Sequence, residues 1–228
     1  MEHSRSVIAF FDVDETLISV KSMLGFLAFH WEREGADPSR FAGARARFAA
    51  RQARGVPRDE LNRDYYRLLR GVPHATLVRT GREWFSREAA RTGFFHPPAV
   101  AALDRHRRAG HLIALVSGAV RPCLEPLADA VGASLVLSAA LEVEDGVLTG
   151  EVDTPVIGPE KAVRARDAMR TYGSLPGDCY AYGDHSSDLP LLQAVGHPVV
   201  VGDDPVLAGQ ERRLGWRRLP GVIAPRSG

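Results

Sequence analysis

The chain has 228 residues, with 29 Lys and Arg against 28 Asp and Glu, for a formal net charge of +1. With 45% hydrophobic and 25% charged residues, it has a globular composition, long enough for one substantial core plus a small accessory domain. The charge balance gives no drive toward nucleic acid or an anionic membrane, and the clusters Arg105-His106-Arg107-Arg108 and Arg212-Arg213 read as solvated helix faces.

Cys123 and Cys179 make no disulfide framework and no CxxC zinc spacing, so reduced thiols in a cytoplasmic protein are expected. The apolar run near the N-terminus is too short for a signal peptide, and no later run approaches a membrane span.

Val7-Ile8-Ala9-Phe10-Phe11 is a continuous apolar run and reads as a buried strand, ending at Asp12-Val13-Asp14-Glu15-Thr16. The stretch from about Ser19 to Thr92 is rich in Ala, Arg, Leu and Glu and reads as helical, with runs at 40–53 and 59–70. Gly55-Val56-Pro57 and Gly71-Val72-Pro73 break it. It reads as a separate cap hinged over the sheet edge, in preference to an elaborate crossover. Next come a helix over 97–109, a strand Leu112-Ile113-Ala114-Leu115-Val116 ending at Ser117-Gly118, a helix over 121–131, and a strand over 134–137. Residues 141–152 alternate around Asp145-Gly146, a hairpin signal. A helix over 159–172, a strand over 179–182 ending at Gly183-Asp184, a helix over 188–195 and a short strand over 198–201 complete the reading. The tail after Pro220 is expected to be poorly ordered. Strands alternating with helices imply an α/β fold built on a parallel sheet. In such sheets ligands bind at the carboxyl ends of the strands.

Four of those strand ends or helix starts carry reactive groups. Asp12 and Asp14 are close enough to repel, so a cation neutralises them or one is protonated. Either state suits phosphoryl transfer, which needs a nucleophile, a proton donor and positive charge on the phosphoryl oxygens. Two turn-capping aspartates would look the same in isolation. Ser117 and Gly118 offer a hydroxyl and backbone N–H groups to a phosphate, or a plain helix cap. Lys161 sits near a helix start, where a cation is disfavoured without an anionic partner; the alternative is a surface lysine. Asp184 and Asp188 provide hard oxygen ligands suited to Mg²⁺, or an Asx turn with a cap.

Jointly, these residues resemble the haloacid dehalogenase superfamily of phosphatases. Asp12-Val13-Asp14-Glu15-Thr16 matches its first motif, and Ser117, Lys161, and Asp184 with Asp188 match the second, third and fourth. The resemblance is to subfamily IB, the phosphoserine-phosphatase-like branch, and Gly183 to Pro190 fits that branch. It implies a Rossmann-like parallel sheet core at 1–18 and 94–228, an inserted helical C1-type cap at 19–93, and a small β-hairpin. It implies a phosphomonoesterase for a small phosphate ester, in which Asp12 attacks phosphorus and Asp14 serves the leaving alcohol and then water. Mg²⁺ is implied at Asp12, Asp14 (through its carbonyl), Asp184 and Asp188, with Thr16, Ser117, Gly118 and Lys161 on the phosphate. A phosphoserine phosphatase, a phosphotransferase or phosphomutase, and a non-catalytic binding module on the same fold are the other readings. No nucleic-acid or membrane partner is expected, and the chain is expected to be a monomer or homodimer.

The sequence departs from phosphoserine phosphatases at two places. Lys21 stands where those enzymes resemble one another in a Glu for the substrate ammonium, and Tyr65 aligns with their carboxylate-binding Arg. Lys21 is therefore a candidate for an anionic or hydroxyl-rich substrate, or a solvent-exposed lysine on the first cap helix. Tyr65 and Tyr66 pack within the cap or line its inner face, with packing the preferred reading. His185 either touches substrate or fills its loop, and is not expected to ligate Mg²⁺.

Overall fold

A computed structural model of the protein describes residues 6–222; the tail beyond Pro220 therefore falls mostly outside the described residues. β1 (Ile8–Phe11) is followed by four helices, α1 (Ser22–Arg33), α2 (Pro38–Ala53), α3 (Arg58–Arg67) and α4 (His74–Ala89). Then come α5 (Pro97–Arg108), β2 (Leu112–Val116), α6 (Arg121–Val131), β3 (Leu135–Leu137), β4 (Leu141–Glu144), β5 (Val147–Val152) and α7 (Pro159–Thr171). β6 (Tyr180–Gly183), α8 (Leu189–Leu192), β7 (His197–Val201), α9 (Pro205–Leu214) and β8 (Arg217–Leu219) close the described chain.

Local chemistry sets these boundaries. Proline occupies the first turns of α5, α6 and α7, where its missing N–H costs no helical bond. Gly132 and Gly215 end α6 and α9 in the left-handed conformation. Asp37 caps α2 by accepting from Ser39 N at 2.7 Å. Asp145 and Gly146 both have positive φ, 48° and 79°, as a tight turn between β4 and β5 requires.

Six strands form one parallel sheet in the order β3-β2-β1-β6-β7-β8, and β4 with β5 forms the separate hairpin. β1 is central: Ile8 to Phe11 pair with Leu112 to Leu115 on one side, and Ala9 to Phe11 with Tyr180 to Tyr182 on the other. All four β1 side chains are buried. Ile8 and Phe10 pack into the core on one face of the sheet, while Ala9 and Phe11 pack against α5 residues such as Leu103 on the other. The strand order turns from β2 to β6 beside β1, which puts the carboxyl end of β1 at the topological switch point.

Two of the contacts that anchor the helical insert lie away from the cavity between it and the sheet edge. α4 lies close on α6: a Cβ at Gly81 would fall 2.1 Å from the Pro122 carbonyl oxygen. The α3–α4 connection bonds to the hairpin, through Gly71 N to Leu148 O, Leu148 N to Val72 O and His74 N to Gly146 O, each 2.9 Å. Any swing of the insert on its two connections would part these contacts. Gly81→Ala must push α4 off α6 and is expected to destabilise the fold by about 2–3 kcal/mol, the usual cost of overpacking. Chemical denaturation reads this directly, and a midpoint equal to the parent's would mean that the two helices separate at no cost.

The basic run in α5 differs from a solvated face. His106 is buried, with Nε2 2.9 Å from the Tyr182 hydroxyl and Nδ1 2.9 Å from His111 Nδ1. Burial, helped by the charges of His111, Arg105 and Arg217, lowers its pKa to about 4. The folded protein therefore favours neutral His106. Its contribution is complete above the ordinary value of 6.5 and is lost as pH falls from there toward 4. In His106→Gln the fall in melting temperature across that window should be shallower than in the parent. Identical slopes would assign the acid sensitivity to other groups.

Candidate active site

The chain leaves β1 at Asp12, whose N–H still donates to Tyr182 O at 3.0 Å. It then turns tightly: Leu17 N and Ile18 N both reach Val13 O, and Glu15 takes a left-handed φ of 59°. This turn brings Asp14 back beneath α1, where its Oδ2 accepts from Ser22 N at 3.0 Å in the first turn of the helix. Asp14 Oδ1 is buried and has no partner. Asp12 and Asp14 both line one cavity of about 300 Å³ between the sheet edge and the helical insert.

Asp12, Asp184 and Asp188 each offer a carboxylate oxygen to a common point, these atoms lying within 4.8 Å of one another. Lys161, from the first turn of α7, donates to Asp188 Oδ1 at 2.6 Å and to Asp12 Oδ1. Burial pushes the Asp12 carboxyl up; the Lys161 charge opposes this and the Asp188 charge reinforces it. Burial, with the Asp12 and Asp188 charges, takes Asp184 up to about 8. Burial also takes Asp14 up to about 7, opposed by the hydrogen bond from Ser22. Burial lowers the Lys161 pKa, but Asp12 and Asp188 outweigh it and hold the ammonium above its ordinary value. Asp12 and Asp188, both buried, thus share one lysine, and the partly buried Asp184 adds a third carboxylate with no cation of its own among the described residues. Their oxygen-only donor set and excess negative charge fit a hard divalent cation such as Mg²⁺.

The other expected residues divide. Ser117 is buried in the cavity wall; its Oγ accepts from Ala119 N at 3.1 Å, leaving its O–H free to donate. Gly118 lines the cavity, and a Cβ there would meet Ile157 Cδ1 at 2.4 Å. Thr16 is fully buried and donates to Asp184 Oδ1 at 2.9 Å, so its hydroxyl proton is committed to a carboxylate. Lys21 stands at the rim and its Nζ lies 3.3 Å from Glu15 Oε2, both side chains being exposed. His185 both fills its loop and lines the cavity: Nδ1 accepts from Ser187 N at 3.0 Å, and the ring meets the Arg58 guanidinium at 2.9 Å. Gly183 is required by the same loop, since a Cβ there would lie 2.6 Å from Asp188 Cβ.

Sequence reasoning missed the way α3 grips the second motif. Asn62 Nδ2 and the Tyr66 hydroxyl both donate to Gly118 O, at 2.9 and 2.8 Å. Tyr66 is buried as expected, but the equally buried Tyr65 also lines the cavity. The available signal was Asn62 itself, one polar residue in the helical stripe Leu61, Tyr65, Tyr66, Leu69.

Residues 9–193 match the family model described as haloacid dehalogenase-like hydrolase. A protein of Bordetella pertussis Tohama I with unknown function has the same fold, with a TM-score of 0.82 and 28% identity over 95% of this chain and 99% of that one. The "Inhibition of morphological differentiation protein" of Streptomyces azureus is 28% identical over 95% of this chain and 83% of its own length. A probable phosphatase of Mycobacterium tuberculosis is 36% identical over 52% of this chain, a segment that spans only 41% of that protein. The chain belongs to the haloacid dehalogenase-like hydrolase family. It is an enzyme of the hydrolase class whose relatives carry phosphatase names.

Proposed function

We propose that the protein is an Mg²⁺-dependent phosphomonoesterase acting on a small organic phosphate through an aspartyl-phosphate at Asp12, with residues 19–93 serving as a cap over residues 1–18 and 94–228. The observation that carries this reading is the pairing of two differently placed carboxyls in one cavity. Asp12 is gripped by Lys161 within the acidic cluster, while Asp14 lies outside that cluster with a free, buried Oδ1.

An Asp12 carboxylate oxygen attacks phosphorus and the bond from phosphorus to the ester oxygen breaks. Asp14, protonated, gives its proton to the departing oxygen. Asp14 then takes a proton from a water whose oxygen attacks the same phosphorus. The Asp12–phosphorus bond breaks, inorganic phosphate leaves, and Asp14 is again protonated. Ser117 and Lys161 hold phosphoryl oxygens, and Thr16 and Asp188 fix Asp184 and Lys161. Asp12, Asp184, Asp188 and the Asp14 carbonyl would hold Mg²⁺, which when bound would supply positive charge to the phosphoryl oxygens.

The absence of a carboxylate at Lys21 and of an arginine at Tyr65 argues against phosphoserine as the substrate. The test is phosphate release from 4-nitrophenyl phosphate with Mg²⁺ and with excess chelator. Release that chelator stops is the expected outcome, and metal-independent release would remove the acidic cluster from the reaction.

A further inference from the structure

Beyond the phosphate centre, two residues of the cavity wall each hold a polar atom that has no partner among the described residues. The Tyr65 hydroxyl and Asn62 Oδ1 are both buried without a hydrogen-bond partner. Their residues are three apart on one face of α3, and both line the same cavity. Asn62 cannot rotate to satisfy its own oxygen, because its Nδ2 is committed to Gly118 O. Unpaired buried polar atoms are uncommon in folded proteins and costly to keep. One is a donor and the other an acceptor, which is the complement of a single alcohol hydroxyl.

The rest of the wall speaks against charge. Met23, Leu24, Phe48, Leu61 and Ile157 line it with apolar surface. The carboxylates lining the cavity are the four of the phosphate centre and Glu15, and Glu15 is paired with Lys21. No lining carboxylate is left for an ammonium group. The cations outside the centre, Lys21 and Arg58, are exposed at the rim and engaged by Glu15 and His185.

We infer that the site takes monophosphates of small neutral alcohols that carry a further hydroxyl, read by the Tyr65 hydroxyl and Asn62 Oδ1, and excludes amino-acid phosphates. This inference rests on the phosphomonoesterase reading above. Tyr65 and Asn62 are specificity-determining residues, and the hydroxyl of the bound alcohol completes their hydrogen bonds. An analogue without that hydroxyl leaves them unpaired, and sites built this way discriminate strongly against such analogues.

Three substrates with the same three-carbon skeleton separate the possibilities: glycerol 1-phosphate, n-propyl phosphate and O-phosphoserine. Wild-type kcat/KM should be highest for glycerol 1-phosphate, at least about 10-fold above n-propyl phosphate, with O-phosphoserine lowest. Tyr65→Phe should bring the glycerol-to-propyl ratio to within about 3-fold of one, because the donor that reads the hydroxyl is gone. Equal use of the glycerol and propyl esters by the wild type would overturn the inference without needing any variant. So would a Tyr65→Phe ratio equal to the wild-type ratio, or a preference for O-phosphoserine. Hydrolysis of 4-nitrophenyl phosphate is the control: if it proceeds while the ranking fails, only the specificity claim falls. If no ester, including that one, is hydrolysed, the phosphomonoesterase reading falls and takes this inference with it.

Discussion

Asp12→Asn is expected to lower kcat for aryl phosphate hydrolysis by about 10,000-fold or more while leaving the fold intact. A nucleophile cannot be replaced by its neighbours, so its loss removes the covalent route entirely. The fold survives for a reason visible in the cluster. Asn keeps the size of Asp12 and removes one of three repelling carboxylates, while Lys161 keeps its 2.6 Å bond to Asp188. Melting temperature in metal-free buffer should therefore not fall by more than a few degrees, and relief of repulsion favours a rise. Loss of activity with a collapsed melting temperature would point to a structural role for Asp12. Retention of turnover would move the nucleophile elsewhere.

Lys161→Met has the opposite signature. It leaves the buried Asp12 and Asp188 with no cation, and breaking a buried ion pair by removing one partner typically costs about 3–5 kcal/mol. Unfolding free energy of the metal-free variant should fall by that order. Added Mg²⁺ should recover a larger share of stability in the variant than in the parent, because a bound cation replaces the missing charge. A variant as stable as the parent without metal would mean that the carboxylates are neutral in the folded state. Activity should fall as well, since Lys161 is assigned to phosphoryl oxygens.

How much of this was legible in the sequence depended on where each signal resided. β1, β2, β6 and β7 were readable because a parallel strand buried on both faces is a continuous apolar run. β8 was not: it is an edge strand, Arg217-Arg218-Leu219, with two exposed arginines and no apolar run. Asp12, Ser117 and Asp184 were legible because each follows such a run directly, and Lys161 because a cation in a first helical turn needs an anion. The bond from Thr16 to Asp184 was hidden because the two are 168 residues apart and are brought near only by the pairing of β1 with β6. The grip of Asn62 and Tyr66 on Gly118 was hidden for the same reason, since it crosses from α3 to the end of β2. His106 was hidden among arginines; only the packing of α5 against β6 separates it from its exposed neighbours.

The central claim is that Asp12 carries the phosphoryl group during turnover. Acid quenching of the wild-type enzyme during hydrolysis of 4-nitrophenyl phosphate, followed by peptide mapping by mass spectrometry, tests it most directly. The prediction is one added phosphoryl group on the peptide containing Asp12, localised to Asp12 and absent from Asp12→Asn. A phosphoryl group found on another residue while turnover proceeds would contradict the account.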